Sequence, residues 1–157
     1  RFWPDKIETC ADESILAWLE GHLCMIPMFP RRPGCSVVEN TNVTRDNVLA
    51  LTSAAEDCWS AIMEKNLEKF ASAFRASFDA QVSMFPGMID PKVDSLSAAA
   101  SDGFLSSVQE YIDHYSLMSG VLAWKLAGAG GGGYLILVCS DRQSFPVESI
   151  SITIRRS

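Results

Sequence analysis

Between Trp124 and Tyr134 the chain reads WKLAGAGGGGY. From Ala127 to Gly133 no side chain exceeds a methyl group, and Gly128, Gly130, Gly131, Gly132 and Gly133 carry none. Ordering a glycine costs roughly 0.4–1 kcal/mol more than ordering an alanine, because the unfolded chain has more freedom to lose. A run of this length therefore costs roughly 2–5 kcal/mol of the ~5–15 kcal/mol that holds a domain together. A plain hairpin turn needs one or two glycines. The excess requires a backbone bare of side chains, for positive φ angles, for close approach of another backbone, or for cradling an oxyanion with peptide N–H groups.

The rest of the composition bounds the answer. A length of 157 residues suits one domain and one sizeable core. The net charge of -6 argues against nucleic acid or an anionic membrane surface as partner. The basic pairs Arg31-Arg32 and Arg155-Arg156 read as solvated surface. Cys10, Cys24, Cys35, Cys58 and Cys139 are odd in number and show no C-x-x-C spacing. They read as small hydrophobes in a reducing cytosol, so the expected location is cytoplasmic. His22 and His114 are far apart, and no metal site is expected. No stretch approaches the roughly 20 apolar residues of a membrane span. The opening RFWPDKIE lacks an apolar signal core and an initiator methionine, which suggests a start partway through a longer protein.

Periodicity gives the elements. A short helix is expected from Asp12, its N-cap, to Glu20. His22–Phe29 is an apolar run whose Pro27 points to an edge strand or bulge. A turn over Arg31–Gly34 and a strand over Cys35–Glu39 follow. Thr44 is placed to cap a long helix with the stripe Val48, Leu51, Ala55, Cys58, Trp59 and Ile62. Asn66 is placed to cap a second, with the stripe Leu67, Phe70, Phe74, Phe78, Val82 and Phe85, ended by Pro86-Gly87. These two predict an antiparallel pair. Asp90-Pro91 starts a helix running to about Ala100, which Ser101-Asp102-Gly103 breaks. Ser106 and Gln109 form a capping box for a further helix, with Gly120 as its C′ residue. Strands are expected over Val121–Leu126, Tyr134–Cys139 and Ser149–Ile154, the last half-buried. Helices segregated from a mostly antiparallel sheet imply an α+β layer packing. Met84–Met88, if exposed, is a candidate contact patch.

The glycine run is neither the dinucleotide fingerprint, since a strand and not a helix follows it, nor a Walker loop, since no Gly-Lys-Ser/Thr closes it. Lying between strands, it lacks a helix dipole for anion binding. KLAGAGGGGY, Lys125 to Tyr134, resembles the third conserved motif of the GHMP kinases (galactokinase, homoserine kinase, mevalonate kinase, phosphomevalonate kinase and their sugar-kinase relatives), written K-x-x-G-A-G-G-G-G-[FY] in the heptose- and fucose-kinase branch. Thr44-Arg45 near a helix start and the F-P-x-M-x-x-P-x-V stretch from Phe85 to Val93 agree with it.

The resemblance implies a ferredoxin-like C-terminal domain spanning 1–157, with 1–21 as the tail of an N-terminal half. That half carries the phosphate loop P-x-x-x-G-L-G-S-S-A and the catalytic carboxylate, and nothing here matches that motif. It implies that the glycine loop, Gly128, Ala129, Gly130, Gly131, Gly132 and Gly133, lies at the domain interface beside the nucleotide phosphates and the acceptor. Lys125, Thr44 and Arg45 become candidate substrate contacts; helix capping and a solvated charge explain Thr44 and Arg45 equally well. The implied cofactors are ATP and Mg²⁺ in the full-length protein, none bound by this domain alone. The implied partners are the N-terminal domain and a sugar, and the isolated chain is expected to lack kinase activity. The alternative is a non-catalytic ferredoxin-like module for ligand binding, regulation or oligomerisation, with the Ile150–Ile154 edge pairing two copies in a homodimer. A decarboxylase of the same superfamily is a third reading.

Overall fold

Asp12 opens helix α1 (Glu13–His22): its Oδ1 accepts the Ser14 and Ile15 N–H groups at 2.8 and 3.3 Å, satisfying donors that a helix start leaves orphaned. The computed structural model describes residues 6–31, 41–89 and 105–156. The strand expected over Cys35–Glu39 and the helix expected from Asp90-Pro91 to Ala100, with its break at Ser101–Gly103, lie outside these residues. From α1 the chain passes directly into strand β1 (Leu23–Pro27).

Thr44 caps α2 (Arg45–Met63) and Asn66 caps α3 (Leu67–Met84), through the Asn47 and Lys69 N–H groups at 3.2 and 3.0 Å. Only Glu64-Lys65-Asn66 joins these helices, with Lys65 at φ 52°, so they pack as an antiparallel pair. The stripe expected on α2 is corrected. Val48 and Ala55 are exposed while Ala54 is buried, and the contact with Phe70 and Ala71 is made by buried Ala61 with half-buried Cys58 and Ile62, the last two as expected. Small residues let the α3 backbone approach, and that choice of face is set by the partner helix. Phe70 and Phe78 of α3 are buried as expected. A 3-10 turn, Pro86–Met88, follows; Met84 and Met88 are buried, so the segment is no exposed patch.

Helix α4 (Val108–Ser116) starts one residue later than the sequence reading placed it. Ser107 Oγ accepts Glu110 N–H at 3.2 Å, and the Glu110 carboxylate reaches back to Ser106 N–H at 2.7 Å. The box is therefore Ser107-x-x-Glu110 and not Ser106-x-x-Gln109. A carboxylate beside the first-turn N–H groups makes the stronger, charge-assisted bond. Gly120 is not the C′ residue of this helix: it lies beyond the C-cap Leu117, at φ 84°, in the turn into β2.

Strands β2 (Val121–Leu126) and β3 (Tyr134–Cys139) match the expected bounds. The last strand, β4, is only Ile150–Ser151, and both residues are exposed. Beyond it the chain leaves the sheet: Ile154 N–H donates to Glu20 at 2.6 Å, and Arg156 grips Glu13 at 2.6 and 3.0 Å. The sheet order is β2-β3-β1-β4, every neighbouring pair antiparallel. It follows that β1 and β2 run parallel with β3 between them, and that β3 and β4 run parallel with β1 between them. Strand β1 is thus interior, which corrects the edge-strand reading of Pro27. The Met28 N–H donates to Gly133 O on the β3 side, so by alternation Pro27's nitrogen faces the other side. There β4 begins only opposite Met25, and no ladder bond is lost.

Side chains alternate between the two sheet faces. Cys24, Ile26, Leu135, Leu137 and Cys139 pack with Phe78, Met88 and α4 on one face. Leu23, Ala123 and Val138 pack with α1, α2 and the first half of α3 on the other. A bulge between Val121 and Ala123 keeps Val121 on the first face along with Trp124. Cys24 and Cys139 are neighbours there; the bond to Cys24 and burial push the Cys139 thiol up. No helix among the described residues is long and apolar enough to cross a membrane.

Candidate functional site

The β2–β3 hairpin closes at the Leu126–Leu135 pair, and Ala127 N–H donates to Tyr134 O at 2.9 Å. Every glycine of the loop has positive φ: 66° at Gly128, then 76°, 73°, 135° and 91° from Gly130 to Gly133. Consecutive left-handed residues are strained for any side chain, which supplies one reason for the run. Close approach supplies another. A Cβ on Gly130 stands 2.6 Å from Met88 O, and one on Gly132 stands 2.7 Å from Phe29 O and 3.0 Å from Arg31 N. Gly131 N–H donates to Met88 O and Gly133 N–H to Phe29 O, both at 2.9 Å, while Gly133 O accepts Met28 N–H at 2.8 Å.

The inner half of the loop is therefore packed beneath the chain's own backbone. Gly130, Gly131 and Gly132 are buried. The tip differs. Gly128 and Ala129 are exposed, and a Cβ on Gly128 meets nothing within 4 Å. Among the described residues the N–H groups of Gly128 and Ala129 have no backbone acceptor. The N–H groups of Gly131 and Gly133 already have carbonyl partners, and Gly130 and Gly132 are buried, so the exposed N–H groups of the loop are those of its tip.

Arg31 is the residue that sequence reasoning missed. Read as half of a solvated basic pair, it instead places Nε and Nη2 on Gly130 O at 3.1 and 2.8 Å. It thereby ties the segment after β1 to the loop. Nothing in the letters around position 31 signals a partner 99 positions away; the nearest signal is the Met28-Phe29-Pro30 run before it.

Thr44 and Arg45 reach the same end of the molecule as the loop. Asn42 N–H donates to Met84 O at 2.9 Å, and Met88, four residues on, accepts Gly131 N–H. Thr44 Oγ1 is the cap of α2, and Arg45 is exposed in its first turn. Lys125 goes elsewhere. Its Nζ donates to Ser77 Oγ at 2.6 Å and lies 5.9 Å from the Phe74 ring centroid, on the face covered by α2 and α3. Burial among these groups lowers its pKa, and the ammonium is not presented at the loop tip. Among the described residues no three His, Cys, Asp or Glu side chains converge as a metal site.

No protein-family model matches the chain, and no curated protein matches it.

Proposed function

We propose that this chain is the C-terminal domain of an ATP-dependent small-molecule kinase of the GHMP type, with a sugar hydroxyl as the phosphoryl acceptor. One observation carries the reading. K-x-x-G-A-G-G-G-G-[FY] falls on a hairpin loop whose inner glycines are locked to the domain and whose exposed Gly128-Ala129 tip carries N–H groups with no backbone acceptor among the described residues. That is the construction expected of a loop that must hold its shape while another segment and its phosphates approach. The strand order supports the ferredoxin-like expectation: two crossovers, each split by a strand of the other, give the strand order of a β-α-β-β-α-β unit. Two departures accompany it. The first crossover carries the α2–α3 pair as well as α4, and the second carries only the 3-10 turn Arg142–Ser144.

In this reading MgATP supplies the phosphoryl group, and a preceding domain supplies the metal carboxylates and the phosphate loop, because phosphoryl transfer rests on positioning and charge stabilisation. This chain orients the acceptor and closes the site with Gly128 and Ala129, on a base held by Gly130, Gly131, Gly132 and Gly133. Lys125 acts through the fold, bracing β2 on α3 through Ser77. A cytoplasmic location and a nucleotide-binding partner domain belong to the same reading. The homodimer alternative has less support, since the edge offered for pairing is a two-residue strand.

The test has two parts. The coding sequence upstream of Arg1 is expected to encode P-x-x-x-G-L-G-S-S-A within about 200 residues, one domain length. The polypeptide so defined is expected to release ADP in the presence of one of a panel of sugars. Ala129→Glu, which sets a negative charge at the tip without entering the packed half of the loop, is expected to lower that turnover at least tenfold with an unchanged melting temperature. A stop codon or an unrelated domain upstream, or full turnover in Ala129→Glu, overturns the reading.

A further inference from the structure

A cleft of about 430 Å³ lies between α3 and α4, with no residue of the glycine loop in its lining. Its apolar lining comes from Phe78, Val82, Ile89 and Ile112, and Trp124 of β2 closes one wall. The Arg75 guanidinium covers the Trp124 ring at 4.0 Å from its centroid. Arg75 Nη2 donates to Asp79 at 2.8 Å. Arg75 Nη1 and Trp124 Nε1 are buried, and among the described residues neither has an acceptor. A buried unpaired donor is destabilising, and here two of them belong to residues that line the same cleft and stack on each other.

We propose that this cleft is a binding site for a small, flat, uncharged molecule carrying a carbonyl or amide oxygen, which accepts from Arg75 Nη1 and Trp124 Nε1. The chemistry selects that class. The free valences are both donors, so the ligand group is an acceptor. The surrounding charge is not positive: Arg75 is matched by Asp79, and Asp113 adds a second carboxylate beside it, held by Gln109 Nε2 at 2.6 Å. A phosphate or carboxylate therefore meets net repulsion, whereas a neutral carbonyl does not. The apolar floor and the indole ring suit a planar body, and the volume lies within the ordinary range for small-molecule sites. Entry requires the outer part of Arg75 to turn aside. Its side chain retains 27% exposure and its ion pair with Asp79 lies at the surface, so the cost of that motion is mainly the stacking on the Trp124 ring, and Nη1 returns onto the bound oxygen.

Nicotinamide is the probe, with acetate and inorganic phosphate as charged comparators, followed by the ¹H–¹⁵N resonance of the Trp124 indole. Trp124→Phe assigns that peak by its loss, and keeps the ring while removing the donor. A saturable shift with nicotinamide is expected, with a dissociation constant on the order of 1–10 mM for a ligand of this size. In Trp124→Phe, the Val82 and Ile112 methyl resonances are expected to report binding weakened about 2–10-fold, the worth of one hydrogen bond. Melting curves confirm that the variant is folded. The proposal falls if nicotinamide leaves the indole peak in place at tens of millimolar, or if phosphate or acetate binds as tightly. It also falls if Trp124→Phe binds with undiminished affinity, or if a bound water alone contacts the indole N–H.

Discussion

A methyl group added at Gly130 meets a backbone carbonyl, and one added at Gly128 meets open space, although both residues have left-handed φ. The two substitutions therefore separate handedness from packing. Gly128→Ala is expected to cost about 1 kcal/mol, the conformational penalty alone. Gly130→Ala adds displacement of Met88 and is expected to cost roughly 2–4 kcal/mol. At roughly 2–4 °C per kcal/mol for a chain of this size, thermal denaturation resolves the difference. Equal melting temperatures for the two variants would show that Met88 does not press on the loop. The need for glycine was legible in the sequence, because no other residue tolerates a succession of positive φ angles. The identity of what presses on the loop was not. Phe29, Arg31 and Met88 approach it through main-chain atoms or, for Arg31, a guanidinium on a main-chain carbonyl, and backbone contacts leave no mark on residue choice in the partner.

Helix caps show the same division at the scale of elements. Asp12, Thr44 and Asn66 were readable to the residue, since a cap is a bond between a side chain and the N–H two or three positions on. The start of α4 was misplaced by one because Ser106 and Ser107 both precede a polar residue at the right distance, and the carboxylate of Glu110 decides between them. Ser107→Ala is expected to destabilise the protein by about 1 kcal/mol, the usual worth of an N-cap. Ser106→Ala removes only an exposed side-chain bond to Glu110 and is expected to cost less than about 0.5 kcal/mol. Equal losses, measured by urea denaturation, would return the box to Ser106 and Gln109. Part of the α2 stripe, the interior position of β1 and the two-residue β4 were misread, and each depends on a partner remote in sequence. Ala61 is buried by where α3 lies, Pro27 is tolerated because β4 begins only opposite Met25, and at its other end β4 gives way as Glu20 and Glu13 draw Ile154 and Arg156 to α1.

The whole molecule is a sheet covered on both faces, and a polar contact fastens the connection from β3 to β4 to α4. Tyr115 Oη donates to the Glu148 carboxylate across 33 positions; Tyr115 is buried and Glu148 exposed. The hydrogen bond from Tyr115 lowers the Glu148 pKa, while burial, followed by the bond and the charge of Glu148, raises that of Tyr115. The sign of the pH dependence follows for each partner. A depressed carboxylate stabilises the fold above its unfolded value, near 4.3, and that contribution is lost as pH falls through the lower folded value. A raised phenol stabilises it below its unfolded value, near 10, and that contribution is lost as pH rises toward the folded value. Tyr115→Phe removes both effects while keeping the ring that packs beside Tyr111. The variant is expected to be less stable than the wild type by roughly 1 kcal/mol near pH 7, a modest figure because Glu148 faces solvent. The gap is expected to narrow below pH ~4 and again above pH ~10, giving a plateau bounded on both sides. Denaturation midpoints of the two proteins from pH 3 to pH 11 measure it. A gap that stays constant over the whole range would mean that the phenol and the carboxylate do not share a proton-dependent bond.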